Sequence, residues 1–287
     1  MSNHKINTLD NLSLQEFDSE TDLIPLLTPE DEEEMNNEEL PISLPILSLR
    51  NMVLFPGVVI PITAGRDKSI KLINDAYAAG KIVGVVAQKN EEVEDPTIND
   101  IHKIGTVAQI LRVLKMPDGN VTVILQGKKR FKIDAVITET PYITANIKEV
   151  AEKRPGKKDT EFLAIIDSIK ELAIQIIKES PNIPSEATFA IKNIESQSFL
   201  INFVTSNMNL SVQEKQDLLS INGLKERALE TLRYMNIELQ KLELKNDIQS
   251  KVRFDLDQQQ REYFLHQQMK PFKKNWVVLR KKRKWTK

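Results

Sequence analysis

Between Pro41 and about Val150 the chain falls into short β-branched runs separated by turn signals. They are Gly57–Pro61, Ile82–Gln88, Gly105–Lys115, Val121–Gln126, Phe131–Ile137 and Tyr142–Val150. Segments of this length and spacing suit the strands of a small barrel or sandwich. Within Gly105–Lys115, Val107, Gln109, Leu111 and Val113 alternate with Ala108, Ile110 and Arg112, the period of a half-buried strand. Pro117-Asp118-Gly119-Asn120 predicts a hairpin, because proline presets φ and glycine tolerates the left-handed region. One helix is expected among the strands, Asp67 to Ala79, with Ile70, Ile73 and Tyr77 on one face and Gly80 as its stop.

Past this region the period changes. Glu152–Lys158 is charged, contains a Pro-Gly breaker and reads as a linker. Phe162, Ile165, Ile166, Ile169, Ala173 and Ile176 then recur at helical spacing over Asp159–Glu179. Pro181 and Pro184 end that helix, and Ser185 is placed to cap the next. Ser211-Val-Gln-Glu214 fits a capping box, and Asn222-Gly223 separates its helix from the last one. From Leu224 to Lys270 there is no glycine and no proline. Leu232, Met235, Leu239, Leu242, Ile248, Val252 and Leu256 form an imperfect apolar stripe there. A continuous helix of that length spans roughly 70 Å, more than a compact domain needs. It reads as an arm that packs on a neighbour or leads to another domain, two helices with an unmarked break being the alternative.

The expected class is therefore α+β, with a β-domain over 41–151, a helical subdomain over 159–223 and an arm over 224–270. Charge divides the chain further. The net charge of −1 conceals an acidic head, residues 1–40, with 12 acids and one lysine, and a tail, Pro271–Lys287, with eight bases and no acid. The head has few apolar residues and reads as a disordered extension, either a solvated tail or a lure for a basic partner. The absence of cysteine excludes a disulfide framework and a thiol nucleophile. No apolar run approaches the ~18 residues of a membrane span, so a cytoplasmic chain without a membrane partner is expected. The pairs Gly80-Lys81, Gly127-Lys128 and Gly156-Lys157 lack the remaining residues of a phosphate-binding loop. His4, His102 and His266 are scattered without partners. No catalytic, cofactor-binding or metal-binding residue is expected, and the chain reads as a binding and assembly module.

Leu44–Ile62, then Gly65-Arg66, Val86-Ala-Gln88, Gly105-Thr-Val107 and Leu114–Gly119, resemble the opening domain of the Lon ATP-dependent serine protease family. Gln260–Lys270 resembles the end of that family's long helix before its ATPase module. The resemblance implies a PUA-like β-domain, a helical bundle and a long arm, which recognise substrates, help assemble the hexamer and gate entry to the ATPase ring. It implies unfolded or misfolded polypeptide clients, self-association, and a place in protein quality control. ATP and magnesium would belong to an ATPase module, and the Ser-Lys dyad to a protease module, neither of which has a counterpart in these residues.

For client contact the reading singles out Asp67, Lys68 and Lys71, where Lys68 and Lys71 share a helix edge. Met52, Leu54 and Phe55 fit either an exposed apolar strip or the barrel core. A competing reading is a stand-alone PUA-like module for RNA or DNA. There the basic tail would supply charge, and Trp276 and Trp285 stacking faces.

The tail carries one more expectation. Restoring one base between codons 270 and 271 constrains the new frame to one of Thr, Ala, Ser or Pro, one of Ile, Val, Leu or Phe, Gln or a stop, two residues each Lys or Glu, then Leu-Gly. That text resembles the family's continuation, so residues 271–287 are expected to be a frameshifted reading, with Pro271 halting the helix. Resequencing the locus should reveal an ATPase-like and protease-like frame after codon 270. An uninterrupted locus with no such frame would contradict this.

Overall fold

A computed structural model describes residues 28–117, 119–156, 158–180, 183–184 and 186–282. The head as far as residue 27, Asp118, Pro181, Ser185 and Trp285 lie outside the described residues. The elements run α1 (Pro29–Asn37), β1 (Ser43–Leu49), β2 (Val59–Ala64), α2 (Asp67–Ala79), β3 (Ile82–Ala87), β4 (Ile104–Lys115), β5 (Val121–Thr138) and β6 (Thr144–Glu149). The helices α3 (Thr160–Glu179), α4 (Ala187–Asn193), α5 (Gln197–Asn207), α6 (Val212–Ser220) and α7 (Leu224–Lys282) follow. The class is α+β.

The sheet has strand order β2-β5-β4-β3-β1-β6, and a further β5–β6 pairing closes β5, β4, β3, β1 and β6 into a barrel. β5 makes this possible because it is one long strand where the sequence reading expected two. Its first half pairs with β2 through Val59↔Gln126 to Ala64↔Val121, and its second half pairs with β6 through Phe131↔Glu149 to Thr138↔Thr144. Gly127-Lys-Lys-Arg130 reads as a break by composition, but there the strand passes from one set of neighbours to the other. β4 flanks both halves, with register shifts at Thr106/Ala108 and Ile110/Arg112. Such bulges increase local twist and let a sheet bend towards closure.

Phe131 is fully buried among Leu44, Ile46, Val86, Ile101, Val107, Ile133, Ala145 and Ile147. Two glycines make its room. A Cβ on Gly84 would lie 2.7 Å from Ile46 Cδ1 and 2.9 Å from Phe131 Cζ, and one on Gly105 would collide with the Val85 carbonyl and Val86 Cγ1. α2 buries Leu72, Ile73 and Ala76, while Tyr77, expected on the inner face, is exposed. Its polar tip and the nearby Lys81 ammonium, 4.8 Å from the ring, favour the solvent side.

The chain separates into two compact units. One comprises the chain up to Lys158 together with Phe189–Arg227, and the other Asp159–Thr188 with the chain from Ala228. This cuts across the single helical subdomain expected over 159–223. Within the first unit, α5 and α6 are bonded to the barrel: Asn202 Nδ2 donates to the Pro56 carbonyl at 3.1 Å, and Gln216 Nε2 to the Ile104 carbonyl at 2.9 Å. α6 opens on the expected capping box, with Ser211 and Glu214 bonded reciprocally. Within the second unit α3 buries Phe162, Ile165, Ile166, Ile169 and Ala173, and α7 buries Met235. Asn246 donates to the Glu179 carbonyl and carboxylate, joining α7 to the end of α3.

Two further expectations are corrected. The helix does not halt at Pro271: α7 is continuous to Lys282, the residues beyond proline containing no glycine or second proline. Proline removes one backbone hydrogen bond, a local cost that a long helix on both sides can carry. The acidic head is not featureless as far as Leu40 either, since α1 forms within it. Thr28 and Asp31 make a capping box there and proline occupies the first turn. Among the described residues no helix is long and apolar enough to cross a membrane.

Gly105→Ala should destabilise the β unit by about 3 kcal/mol, the cost of forcing a methyl against backbone that cannot yield. Urea denaturation with an unchanged m-value would register it, and wild-type stability would show that the barrel yields there.

Candidate functional site

Two arrangements stand out in the first unit: a partly buried charge cluster and an apolar strip on the edge of a β-ribbon. The cluster begins at Glu152, three residues past β6. Its carboxylate pairs with Arg227, at the start of α7, and with Arg154 Nε at 3.3 Å, and accepts a hydrogen bond from Ser198 Oγ on α5. Arg227 is fully buried. Burial alone would raise the Glu152 pKa, but the Arg227 and Arg154 guanidiniums, with hydrogen bonds from Arg227 and Ser198, hold it below the usual carboxylate range. Arg154 also pairs with Glu32 of α1, whose carboxylate accepts from Ser196, the N-cap of α5. The Lys153 amide donates to the Asn222 carbonyl, and the Leu224 amide to the Lys153 carbonyl. The segment 152–154 is thus a bonded junction, where the sequence reading expected a linker.

Arg130, in the middle of β5, completes the junction. Its Nη1 donates to the Leu219 and Ile221 carbonyls at 2.9 and 2.7 Å, the unsatisfied end of α6. Burial and the like charge of Arg227, against the pull of Glu152, lower its pKa to about 10. It remains cationic at neutral pH. Each of these charges meets a group from another part of the chain.

The ribbon is formed by β2, β5 and β4 beyond the second register shift, where Ile62, Val123 and Val113 lie in one row and Thr63, Thr122 and Leu114 in the next. Val121 and Val123 face inward and are buried. The shift at Leu111 leaves that residue 43% exposed, with Leu114 at 45% and Met116 at 43%. Sequence reasoning missed this strip because strict alternation would put Leu111 and Val113 on one face. The bulge that breaks the alternation has no signature in composition.

The residues singled out from sequence fare differently. Leu54 and Phe55 are 2% and 0% exposed, so neither is part of an apolar strip. The Leu54 carbonyl accepts from Thr106 Oγ1, and the Phe55 carbonyl sits where a Cβ on Gly127 would collide with it. Only Met52 of that trio is exposed. Asp67, Lys68 and Lys71 all lie exposed on α2. Lys68 pairs with Asp95 at 2.6 Å. Arg66, from the Gly65-Arg66 motif, donates to Ser48 and Gln88, and Gln88 donates to the Val93 carbonyl, so the motif holds a loop in place. Among the described residues no group of His, Asp and Glu stands together that could hold a metal ion.

Residues 43–236 match the family model for the ATP-dependent protease La (LON) substrate-binding domain. The chain is 86% identical over 270 residues to a Lon protease of Flavobacterium johnsoniae, covering 94% of this chain and 33% of that one. It is 49% identical over 249 residues to a Lon protease of Cytophaga hutchinsonii, covering 87% and 31%. It thus spans about a third of the length of these curated relatives. Its fold is similar to the N-terminal domain of a Mycobacterium avium complex Lon protease, with a TM-score of 0.56 at 20% identity, covering 68% of this chain and 98% of that one.

Removing one partner of a buried pair leaves the other charge uncompensated, so Glu152→Gln should cost about 3 kcal/mol. Glu152 ionises more readily folded than unfolded. Its stabilisation is therefore present above the unfolded glutamate pKa and disappears as pH falls through the lower folded value. Chemical denaturation from pH 7 down to pH 3 should show a shallower acid decline in the variant. Parallel declines would contradict this role for Glu152.

Proposed function

The chain belongs to the family of Lon substrate-binding domains, and from that premise we propose that it is the substrate-recognition and assembly region of a Lon-type ATP-dependent protease. The observation that carries the reading is the apolar strip Leu111, Leu114 and Met116, exposed on a ribbon whose other face is anchored in the barrel. A folded client hides its apolar side chains, whereas an unfolded or misfolded one offers them. A short apolar strip on a rigid edge therefore selects for lost structure. Its affinity is modest, because ordering the client costs free energy. Met52 and the charged edge of Asp67, Lys68 and Lys71 serve as additional contacts.

The arm has a separate role in this reading. Every residue of α7 from Asp247 to Leu265 is exposed, including Ile248, Val252, Phe254 and Leu256. Such a helix is covered when copies associate, so the arm supports self-association of a cytoplasmic assembly. No phosphate-binding loop stands in the sequence of the recognition region, so ATP hydrolysis is not assigned to it.

The test is fluorescence anisotropy with a labelled, permanently unfolded client such as carboxymethylated casein. Leu114→Asp with Met116→Asp should weaken binding about tenfold while leaving the melting temperature within a few degrees, both residues being surface-exposed. Unchanged affinity in a folded variant would contradict the assignment.

A further inference from the structure

α1 is a helix that its own composition does not sustain. It has nine residues, fewer than the ~12–15 an isolated helix needs, and no base in its last turn to meet the dipole. It is held by docking, and two side chains, Glu32 and Met35, are buried. Glu32 lies against Arg154 and Ser196, and Glu38 adds a longer ion pair to Lys128 at 3.6 Å.

The seat is larger than its occupant. Cavities of about 60 and 150 Å³ both reach Met35. The walls of the first include Lys129, Arg130 and Asn202, and those of the second Ile82, Val107 and Ala108. Both are clefts partly open to solvent. The first cavity also has unmet polar groups in its walls: Arg130 Nη2 and Asn202 Oδ1, both buried, have no hydrogen-bond partner among the described residues. Lys128, Lys129, Arg130 and Arg154 outnumber Glu149 and Glu152 once Glu32 is set aside. The seat thus presents positive charge beside an apolar socket, with spare volume and spare hydrogen bonds.

We propose that this seat is a docking site for short acidic helical segments of other polypeptides, bearing a carboxylate and an apolar side chain three residues apart, and that α1 occupies it as a displaceable internal competitor. The seat shares no residue with the Leu111–Met116 strip, so it stands or falls separately from that assignment. α1 is covalently attached and therefore competes at high effective concentration, which lowers the apparent affinity of any incoming segment by the fraction of time the seat is open.

The probe is a fluorescein-labelled peptide with the sequence of residues 28–40, titrated into the full chain and into the full chain carrying Glu32→Ala and Met35→Ala. The variant should bind the peptide about tenfold more tightly than the unsubstituted chain does, because its own helix no longer holds the seat. A peptide with alanine at both anchor positions should bind neither. Equal binding to both chains, or none to a variant that still melts cooperatively and still binds casein, would overturn the proposal. Hydrogen exchange on the unsubstituted chain decides the matter even if the variant does not fold. Amides of α1 should exchange at least about a hundredfold faster than those of β4 and β5, and equal protection would show that the helix does not leave.

Discussion

The pairing of the partly buried Glu152 carboxylate with the fully buried Arg227 is the interaction on which the first unit depends. A carboxylate so placed is tolerated only if cations and donors surround it, and here they come from separate parts of the chain: Arg227 from the start of α7, Ser198 from α5, and Arg154 two residues on. Meeting that demand brings the end of the barrel, the middle helices and the root of the arm to one point. Arg130 does the corresponding work from within β5, turning a strand residue into a clamp on the last carbonyls of α6. The helices α5 and α6 are consequently part of the β unit and not a bundle of their own.

Much of this was legible in the sequence, and what was not has a common cause. Period and turn chemistry place the strands, α3 and the capping box of α6, because these are local and repeated. Two of the Lon-like motifs mark tight steric or hydrogen-bonding constraints. Gly105 admits the Val85 carbonyl, and Arg66 secures the loop through Gln88. Residues whose role is set by distant partners were not legible. Nothing local distinguishes Glu32 from the glutamates beside it, yet it meets Arg154, 122 positions away. The same holds for Glu152, read as part of a linker, and for Gly127–Arg130, read as a break where β5 runs on. Leu54 and Phe55 are apolar residues that suit core and surface equally by composition, and only the barrel's closure decides for the core.

The fold explains how a small domain presents apolar surface without collapsing around it. β5 is anchored along its second half by β6 and the Phe131 core, and its first half pairs with β2 and β4 and buries Val121, Val123 and Leu125. Bulges in β4 turn Leu111 outward where alternation alone would turn it in. A rigid strip of this kind costs little to present, and in the proposed recognition the ordering entropy would fall on the client.

The most direct test of recognition by the ribbon is a photo-crosslinking map, made with an unfolded client carrying benzophenone groups, the full chain and mass-spectrometric site identification. The account predicts crosslinks concentrated on Leu111–Met116, competed away by excess unlabelled client. Crosslinks confined to α7, or spread evenly over the barrel, would contradict it.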